Sequence, residues 1–440
     1  MSFSNNTVKD YFKNKNIFIT GATGFLGKVL LNKILQMQPG KLYLLIRNKQ
    51  GENSFDRLTK LLAESLCFKN LKIEKGEKFE NFIKNHVEVI EGDISKENLG
   101  MSEKDLSNIT KHLDIVINVG ASVSWKESIS EIINTNLKSA VDALEIAKKA
   151  NAKHFVHIST IGAIKPLHMI CQKKFYGDEE FNFEGYIQKI EKMDSEEAEE
   201  ETKFLKDNFG STYVFVKAGA EKLIEHKKGD LSITINRSPS LGPTLYDPEP
   251  GWLDNITGFT GNYFYIGLSK SLAYLVNKSN KILEMPVDIF ANFILHLSKK
   301  NSETKELRIH NIISESDITV YESMVTAVNY FKANPVTNVR FIEPLFFDDI
   351  DEYKKYAESL SETEEISKKL IDKTKYFNDL YMQANFFQTD GVQFEDERMT
   401  IIKKSSTKDL KEFPLLTDEL LGEKYVKLSC EGLKKFYYKT

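Results

Sequence analysis

The sequence predicts an α/β fold, a Rossmann-type doubly wound parallel sheet joined to a smaller α+β substrate-binding and C-terminal region. Three observations carry this expectation. Short apolar runs alternate with amphipathic stretches through the first half of the 440-residue chain, the pattern of βαβ units. The runs are apolar at successive positions, as in Leu42-Tyr43-Leu44-Leu45-Ile46, which suits parallel strands covered by helices on both faces. A glycine-rich segment, Thr20-Gly21-Ala22-Thr23-Gly24-Phe25-Leu26-Gly27, falls between the first strand and the first helix, where a nucleotide-binding turn belongs.

In chain order, strands are expected at residues 16–20, 41–47, 87–93, 114–120, 155–160 and 232–237, with an amphipathic helix over 28–36. Residues 177–208 break the rhythm. They are strongly acidic, above all at 194–201, and read as a solvated insertion carrying helix. The Pro and Gly residues of 239–251 mark irregular chain. From about residue 281 a smaller α+β region is expected at the edge of the sheet, and 351–381 is charged and helix-prone. These textures suggest a nucleotide-binding domain with its substrate-binding part over 12–300, and a smaller region over 301–440.

Composition narrows the function. A formal net charge of −4 gives no basic stripe for nucleic acid. Cys67, Cys171 and Cys430 lie far apart without a CxxC pair, which argues against a disulfide framework or a zinc site and suits a reducing compartment. No metal is expected. Residues 1–15 lack the apolar core of a secretory signal. The nearest approach to a membrane span, 263–276, is broken by Lys270 and falls short of the roughly 18 apolar residues a span requires. The oligomeric state is not legible.

Gly21, Gly24 and Gly27 let the backbone turn tightly beside a pyrophosphate, while the helix that follows presents its amides and positive dipole end. Thr23, Phe25 and Leu26 complete that loop. Three glycines alone are a common strand–helix turn; their place in the first βαβ unit makes a cofactor site. The second strand ends in Arg47, where NAD-preferring sites carry an acidic residue. A guanidinium there either grips a 2′-phosphate, which favours NADPH, or is a solvated surface cation. Asp93, followed by Ile94, either accepts from the adenine amino group or caps its own loop. Gly120 and Ala121 are small enough for close approach to the cofactor, and Pro239 completes the candidate contacts.

The chemistry concentrates in two segments. His157-Ile158-Ser159-Thr160 is a strand ending in two hydroxyls, and Tyr213-Val214-Phe215-Val216-Lys217 places a phenol and an ammonium one helical turn apart. Hydride delivery to a carbonyl leaves an alkoxide that needs a proton. A free tyrosine has a pKa of about 10, and a neighbouring cation brings it toward the working range. Lys217 can also bond the nicotinamide ribose, and Thr160 can orient the substrate carbonyl. Asn136 either supports a water connecting Lys217 to solvent or is a helix-surface asparagine. A lone YxxxK occurs often by chance; its order after the glycine turn, Asp93 and the Ser-Thr strand makes coincidence improbable.

These residues resemble the extended short-chain dehydrogenase/reductases, and within them the fatty acyl-CoA reductases, also called the male-sterility family. The similarity lies in the glycine turn, Leu44-Leu45-Ile46-Arg47, Gly92-Asp93, His157-Ile158-Ser159-Thr160 and Thr212-Tyr213-Val214-Phe215-Val216-Lys217-Ala218. The most discriminating match is Glu249-Pro250-Gly251-Trp252-Leu253-Asp254-Asn255 with Gly258, joined by Pro286-Val287-Asp288 ahead of Asn292. Likeness is good over 12–300 and loose beyond, at 394–399 and around 425–438. Three departures stand out: Ile161-Gly162 after the Ser-Thr pair, Ser238 after the arginine, and Gly219 in the Tyr–Lys helix.

The resemblance implies reduction of a fatty acyl-CoA to an aldehyde and then a primary alcohol, consuming two NADPH. Tyr213 would be the proton donor, Lys217 its tuner, and Thr160 the carbonyl anchor, helped by Ser159. Trp252 would line the acyl path or belong to the core. It also implies an intracellular protein, cytoplasmic or peripheral on a peroxisomal or ER membrane. The Lys-rich residues 424–439 would then be an attachment surface or simply a solvated helix face. Two alternatives compete, a thioester reductase that releases a carrier-bound acyl chain and a non-catalytic NADP-binding scaffold.

Overall fold

Runs of wholly buried residues build the centre of the sheet. The strands are β1 (Ile17–Thr20), β2 (Leu42–Ile46), β3 (Val87–Glu91), β4 (Ile115–Asn118), β5 (His154–Thr160), β6 (Ser232–Ser238), β7 (Ser240–Gly242), β8 (Ala273–Leu275), β9 (Glu284–Pro286), β10 (Leu307–Asn311) and β11 (Leu345–Phe347). The computed structural model describes residues 6–49, 51–124, 127–164, 181–302, 304–313, 318–361, 368–372, 374, 398–415 and 422–438. Cys171 and residues 394–397 of the expected likeness lie outside them. Seven strands form one parallel sheet in the order β10-β6-β5-β4-β1-β2-β3. Every residue of β1, β2, β4 and β5 is buried, because helices cover both faces of such a sheet.

The strand order reverses between β1 and β4, so a crevice opens beyond their carboxyl ends, the place where ligands bind in open α/β sheets. The register sets Thr20 opposite Asn118, which brings the glycine turn beside Gly120. The sequence located six of the seven strands to within a few residues. It missed β10, an edge strand whose residues are only partly buried apart from His310 and which therefore lacks an uninterrupted apolar run.

The chain divides into two units, one of residues 1–238, 291–312 and 392–415, the other of 239–290, 313–391 and 416–440. They interleave in sequence and do not follow the single boundary at residue 300 that the sequence suggested. In the first unit, the acidic insertion carries helix and is exposed along most of its acidic stretch, as expected. It forms helices Phe183–Ile190 and Ser195–Phe209, the second opened by an Asp194–Glu197 capping box. Phe183, Tyr186 and Phe209 pack around Phe215 of the helix Thr212–Lys227, with ring centroids 5.2–5.8 Å apart. This explains Gly219, since a Cβ there would stand 2.8 Å from the Phe183 ring.

The second unit is α+β, with two-stranded pairings β7–β9 and β8–β11. Asp288 accepts the backbone N–H groups of Leu245, Tyr246 and Asp247 at 2.9, 2.9 and 3.2 Å. The segment 249–255 is architecture. Trp252 and Leu253 are buried, the Thr244 N–H donates to Trp252 O and the Gly251 N–H to Thr244 O. A Cβ on Gly432 of the helix Glu423–Phe436 would lie 2.0 Å from Gly251 O. Trp252 therefore belongs to the core of this unit. Lys435 pairs with Glu249, Lys427 with Glu423, and Lys434 donates to Asn334 O, so these C-terminal lysines are engaged within the unit. Among the described residues no helix is long and apolar enough to cross a membrane.

Glu284 is the charge anomaly of this unit. Burial pushes its carboxyl up to about 8 against the bonds from Thr260, and its Oε2 has no hydrogen-bond partner among the described residues. With its folded value above the unfolded one, the stability it contributes is full below about pH 4.5 and is lost as pH rises through about 8. Glu284→Gln is expected to flatten that loss between about pH 4.5 and 8, read as denaturant midpoints; a parent-like decline in the variant would contradict it.

Candidate active site

The glycine turn has the shape a dinucleotide needs. Gly21, at φ +71°, leaves β1, and its Cβ would lie 2.6 Å from Gly120 N and 2.7 Å from Gly120 Cα. A Cβ on Gly27 would lie 2.0 Å from Gly21 O. The Gly24 N–H donates to Gly21 O at 2.9 Å, and Gly24 is the N-cap of the helix Phe25–Gln36. A glycine offers no side-chain oxygen to the first amides of that helix, so the helix end is suited to an anion. Thr23, Phe25 and Leu26 follow in the same turn, and Ala121 follows Gly120 beyond β4. The residues present fit a dinucleotide, because side chains are excluded where its backbone contacts belong.

Arg47 is exposed just past β2. Arg57, from the helix Ser54–Glu64, donates to Arg47 O. Burial and the neighbouring Arg47 charge lower its proton affinity, with Glu52 opposing. The Arg57 guanidinium thus lies against the Arg47 backbone and feels the Arg47 charge, a neighbour the sequence did not reveal because Arg57 sits on an otherwise ordinary helix. Asp93 accepts from Ser95 N at 3.0 Å and Ser95 Oγ at 2.8 Å. Burial raises its pKa, but the Ser95 bonds, Arg47 and Lys96 outweigh that and hold it below the usual carboxylate value. Its Oδ1 caps its own loop ahead of Ile94.

Beyond β4, the Asn136 side chain is engaged at both atoms. Its Oδ1 accepts from Ser122 N at 2.7 Å and its Nδ2 donates to Ser122 O at 2.8 Å. It lies in a π turn, Ile133–Lys138, a feature that recurs at functional sites, and that turn packs against the helix Thr212–Lys227. Asn136 therefore fastens the loop after β4 to this helix pair.

Thr160 ends β5, where its Oγ1 accepts from Gly162 N at 3.3 Å. Ser159 donates to Glu221, which lies on the same helix as Tyr213 and Lys217. Glu221 is also held by Arg237, whose Nε lies 3.0 Å from Oε1 and whose Nη2 lies 2.5 Å from Oε2. Both partners are largely buried, and removing one of such a pair typically costs about 3–5 kcal/mol.

Tyr213 and Lys217 share one face of the helix Thr212–Lys227, which packs on β5 and on the turn Ile161–Ala163 that follows Thr160. Burial pushes the Tyr213 phenol up to about 12. Burial also lowers the Lys217 ammonium to about 8, with Glu221 opposing. Lys217 Nζ donates to Ile158 O at 2.5 Å and lies 3.3 Å from His157 Nε2. Pro239 opens the second unit. His157, Asn118 and Glu221 escaped the sequence reading, because a polar residue inside an apolar strand or helix carries no pattern of its own.

The male sterility protein family, an NAD-binding family, matches residues 19–294. A probable fatty acyl-CoA reductase 5 of Arabidopsis thaliana is 29% identical over 374 residues, covering 76% of this chain and 75% of its own. An alcohol-forming fatty acyl-CoA reductase of Simmondsia chinensis is 28% identical over 362 residues, covering 76% and 73%. Among solved structures, the thiolation-reductase di-domain of an archaeal non-ribosomal peptide synthetase shares the fold. Its TM-score is 0.63 at 21% identity, with 98% of this chain and 79% of that chain covered. The match takes in six of the seven strands of the parallel sheet, glycine turn and Tyr–Lys helix included, and on that ground the chain belongs to the male sterility protein family.

Proposed function

We propose that this protein is an NADPH-dependent fatty acyl-CoA reductase that takes a long-chain acyl-CoA to a primary alcohol through an enzyme-bound aldehyde. The observation that carries this is the Tyr213–Lys217 pair, packed on the strand that ends in Thr160 in the unit that holds the glycine turn. The relatives named for this activity, one of them alcohol-forming, support the choice of substrate.

When bound, NADPH supplies a hydride to the carbonyl carbon, first of the thioester and then of the aldehyde. Gly21, Gly24, Gly27, Thr23, Phe25, Leu26, Gly120, Ala121 and Ile94 would hold the dinucleotide, with Asp93 shaping the loop at its adenine end. Thr160 would donate to the substrate oxygen as its charge develops. In the first reduction Tyr213 would protonate the alkoxide left by hydride addition; the C–S bond then breaks, the carbonyl re-forms as the aldehyde, and the sulfur leaves as the CoA thiol with the hydroxyl proton. In the second, Tyr213 protonates the alkoxide, while Lys217 stabilises the phenolate left behind. One acyl-CoA, two NADPH and two protons give one alcohol, one CoA and two NADP+. Asn136 acts on the loop at Ser122 and keeps the π turn against the Tyr–Lys helix.

Cofactor preference rests on the two guanidiniums. Arg47 and Arg57 would share the 2′-phosphate, a dianion that NADH lacks. Arg47→Ala and Arg57→Ala are each expected to raise KM for NADPH by roughly tenfold or more, the value of one charged hydrogen-bonding partner, with KM for NADH little changed. Equal effects on both cofactors in a steady-state assay would refute the phosphate role. The activity itself is tested by NADPH oxidation with palmitoyl-CoA and identification of the lipid product. Oxidation with a carrier-bound acyl thioester but not with acyl-CoA would overturn the substrate assignment.

A further inference from the structure

A buried polar chain runs from the strand end before the glycine turn to Lys217. The Gly120 N–H donates to Thr20 Oγ1 at 3.0 Å, and the Thr20 hydroxyl donates to Asn118 Oδ1 at 2.6 Å. Asn118 Nδ2 lies 3.0 Å from His157 Nδ1, and His157 Nε2 lies 3.3 Å from Lys217 Nζ. Lys217 closes the chain by donating to Ile158 O. Thr20, Asn118, His157 and Lys217 are each no more than 2% exposed, so bulk solvent does not reach these groups.

Counting donors decides what this chain favours. Thr20 Oγ1 already accepts from Gly120, so its own proton goes to Asn118 Oδ1. That turns the Asn118 amino group toward His157 Nδ1, and the single proton of a neutral imidazole then sits on Nε2, facing Lys217. An amine can accept that proton; an ammonium, which has only donors, cannot. For the ammonium every bond must reverse. Lys217 then donates to Nε2, Nδ1–H donates to Asn118 Oδ1, Asn118 Nδ2 donates to Thr20, and the Thr20 proton loses its acceptor. A buried hydroxyl without an acceptor is unfavourable, so the relay biases Lys217 toward the amine.

We propose that His157 is the positioning residue of Lys217. With Asn118 and Thr20 it forms a relay that holds Nζ in place, reverses polarity with the protonation of Lys217, and weakens Lys217's hold on its proton. This rests on the reading of Lys217 as the partner of Tyr213. The groups facing Lys217 are Tyr213 and Glu221 on its own helix and His157 on β5, with Arg237 on β6 holding Glu221. Glu221 favours the ammonium, while its pairing with Arg237 and Ser159 divides that influence. Burial first, and then the Lys217 charge, keep the imidazole far below its ordinary pKa, so the ring stays neutral and changes only its tautomer.

The test uses the intact chain labelled with 15N-histidine, without cofactor. Eight histidines give eight rings, and His157 is assigned by its absence in His157→Gln or, if that variant does not fold, by its shift in Asn118→Ser. The relay predicts a neutral ring carrying its proton on Nδ1 at pH 6 and on Nε2 at pH 10. A ring that titrates near the ordinary 6.5, or one whose tautomer is the same at both pH values, overturns it. In the reductase assay, His157→Gln is expected to move the alkaline limb of kcat/KM upward by about one pH unit, tenfold in proton affinity; an unmoved limb also counts against the relay. A tautomer switch beside a fully active Tyr213→Phe would sink the catalytic pair and spare the relay. A missing switch beside an inactive Tyr213→Phe would do the opposite.

Discussion

Tyr213→Phe is expected to lower kcat for acyl-thioester reduction by roughly 10²- to 10⁴-fold, the usual contribution of a positioned general acid, with NADPH affinity nearly unchanged. Phenylalanine fills the same space on the helix Thr212–Lys227 and removes only the proton donor. The phenol, pushed up to about 12 by burial, keeps its proton at neutral pH and parts with it only when the alkoxide forms. Lys217 must be charged to stabilise the phenolate, and burial lowers it to about 8. The sign follows. Activity depends on the protonated lysine and is lost as pH rises through that value, so kcat/KM should fall on the alkaline side of about pH 8. A profile flat to pH 10, or a fully active Tyr213→Phe, would contradict the assignment.

Gly21→Ala is expected to weaken dinucleotide binding by roughly 100-fold, about 2.7 kcal/mol, measured by fluorescence titration with NADPH. Two costs combine. A non-glycine residue at φ +71° is strained, typically by about 1–3 kcal/mol, and the new Cβ would stand 2.6 Å from the Gly120 amide nitrogen. That neighbour is backbone at the end of β4 and cannot swing aside, so the strand ends that form the crevice must part. Gly51 supplies the control. It also has a positive φ, +79°, but nothing lies within 4 Å of its would-be Cβ, so Gly51→Ala should cost some stability and leave binding intact. Equal binding losses in the two variants would show that strain, rather than collision in the crevice, governs the site.

The sheet was legible because a parallel strand buried on both faces has to be written in consecutive apolar residues, as β2 is. The edge strand β10, half in contact with solvent, leaves no such mark. The glycine turn and the Tyr–Lys spacing were legible for a similar reason, since backbone approach and a shared helix face each dictate residue type at fixed intervals. His157 and Asn118 were not. Each looks like an interruption in an apolar strand, and only the register that sets β5 beside β4 and β4 beside β1 shows that they meet. Ser159 and Thr160 illustrate the limit at a single step. The sequence shows two adjacent hydroxyls, and only the fold shows that one reaches Glu221 while the other belongs to the turn after β5. The segment 249–255, the most family-specific stretch of sequence, holds a helix of the second unit and so marks kinship more directly than chemistry.

Two successive reductions of one acyl thioester at one Tyr–Lys site set the stoichiometry of the reaction. Its most direct measurement is the ratio of NADPH oxidised to CoA released, with the lipid product identified, in a single incubation with palmitoyl-CoA. Two NADPH per CoA and hexadecanol as the product are expected. One NADPH per CoA with free hexadecanal, or CoA release without NADPH oxidation, would contradict it.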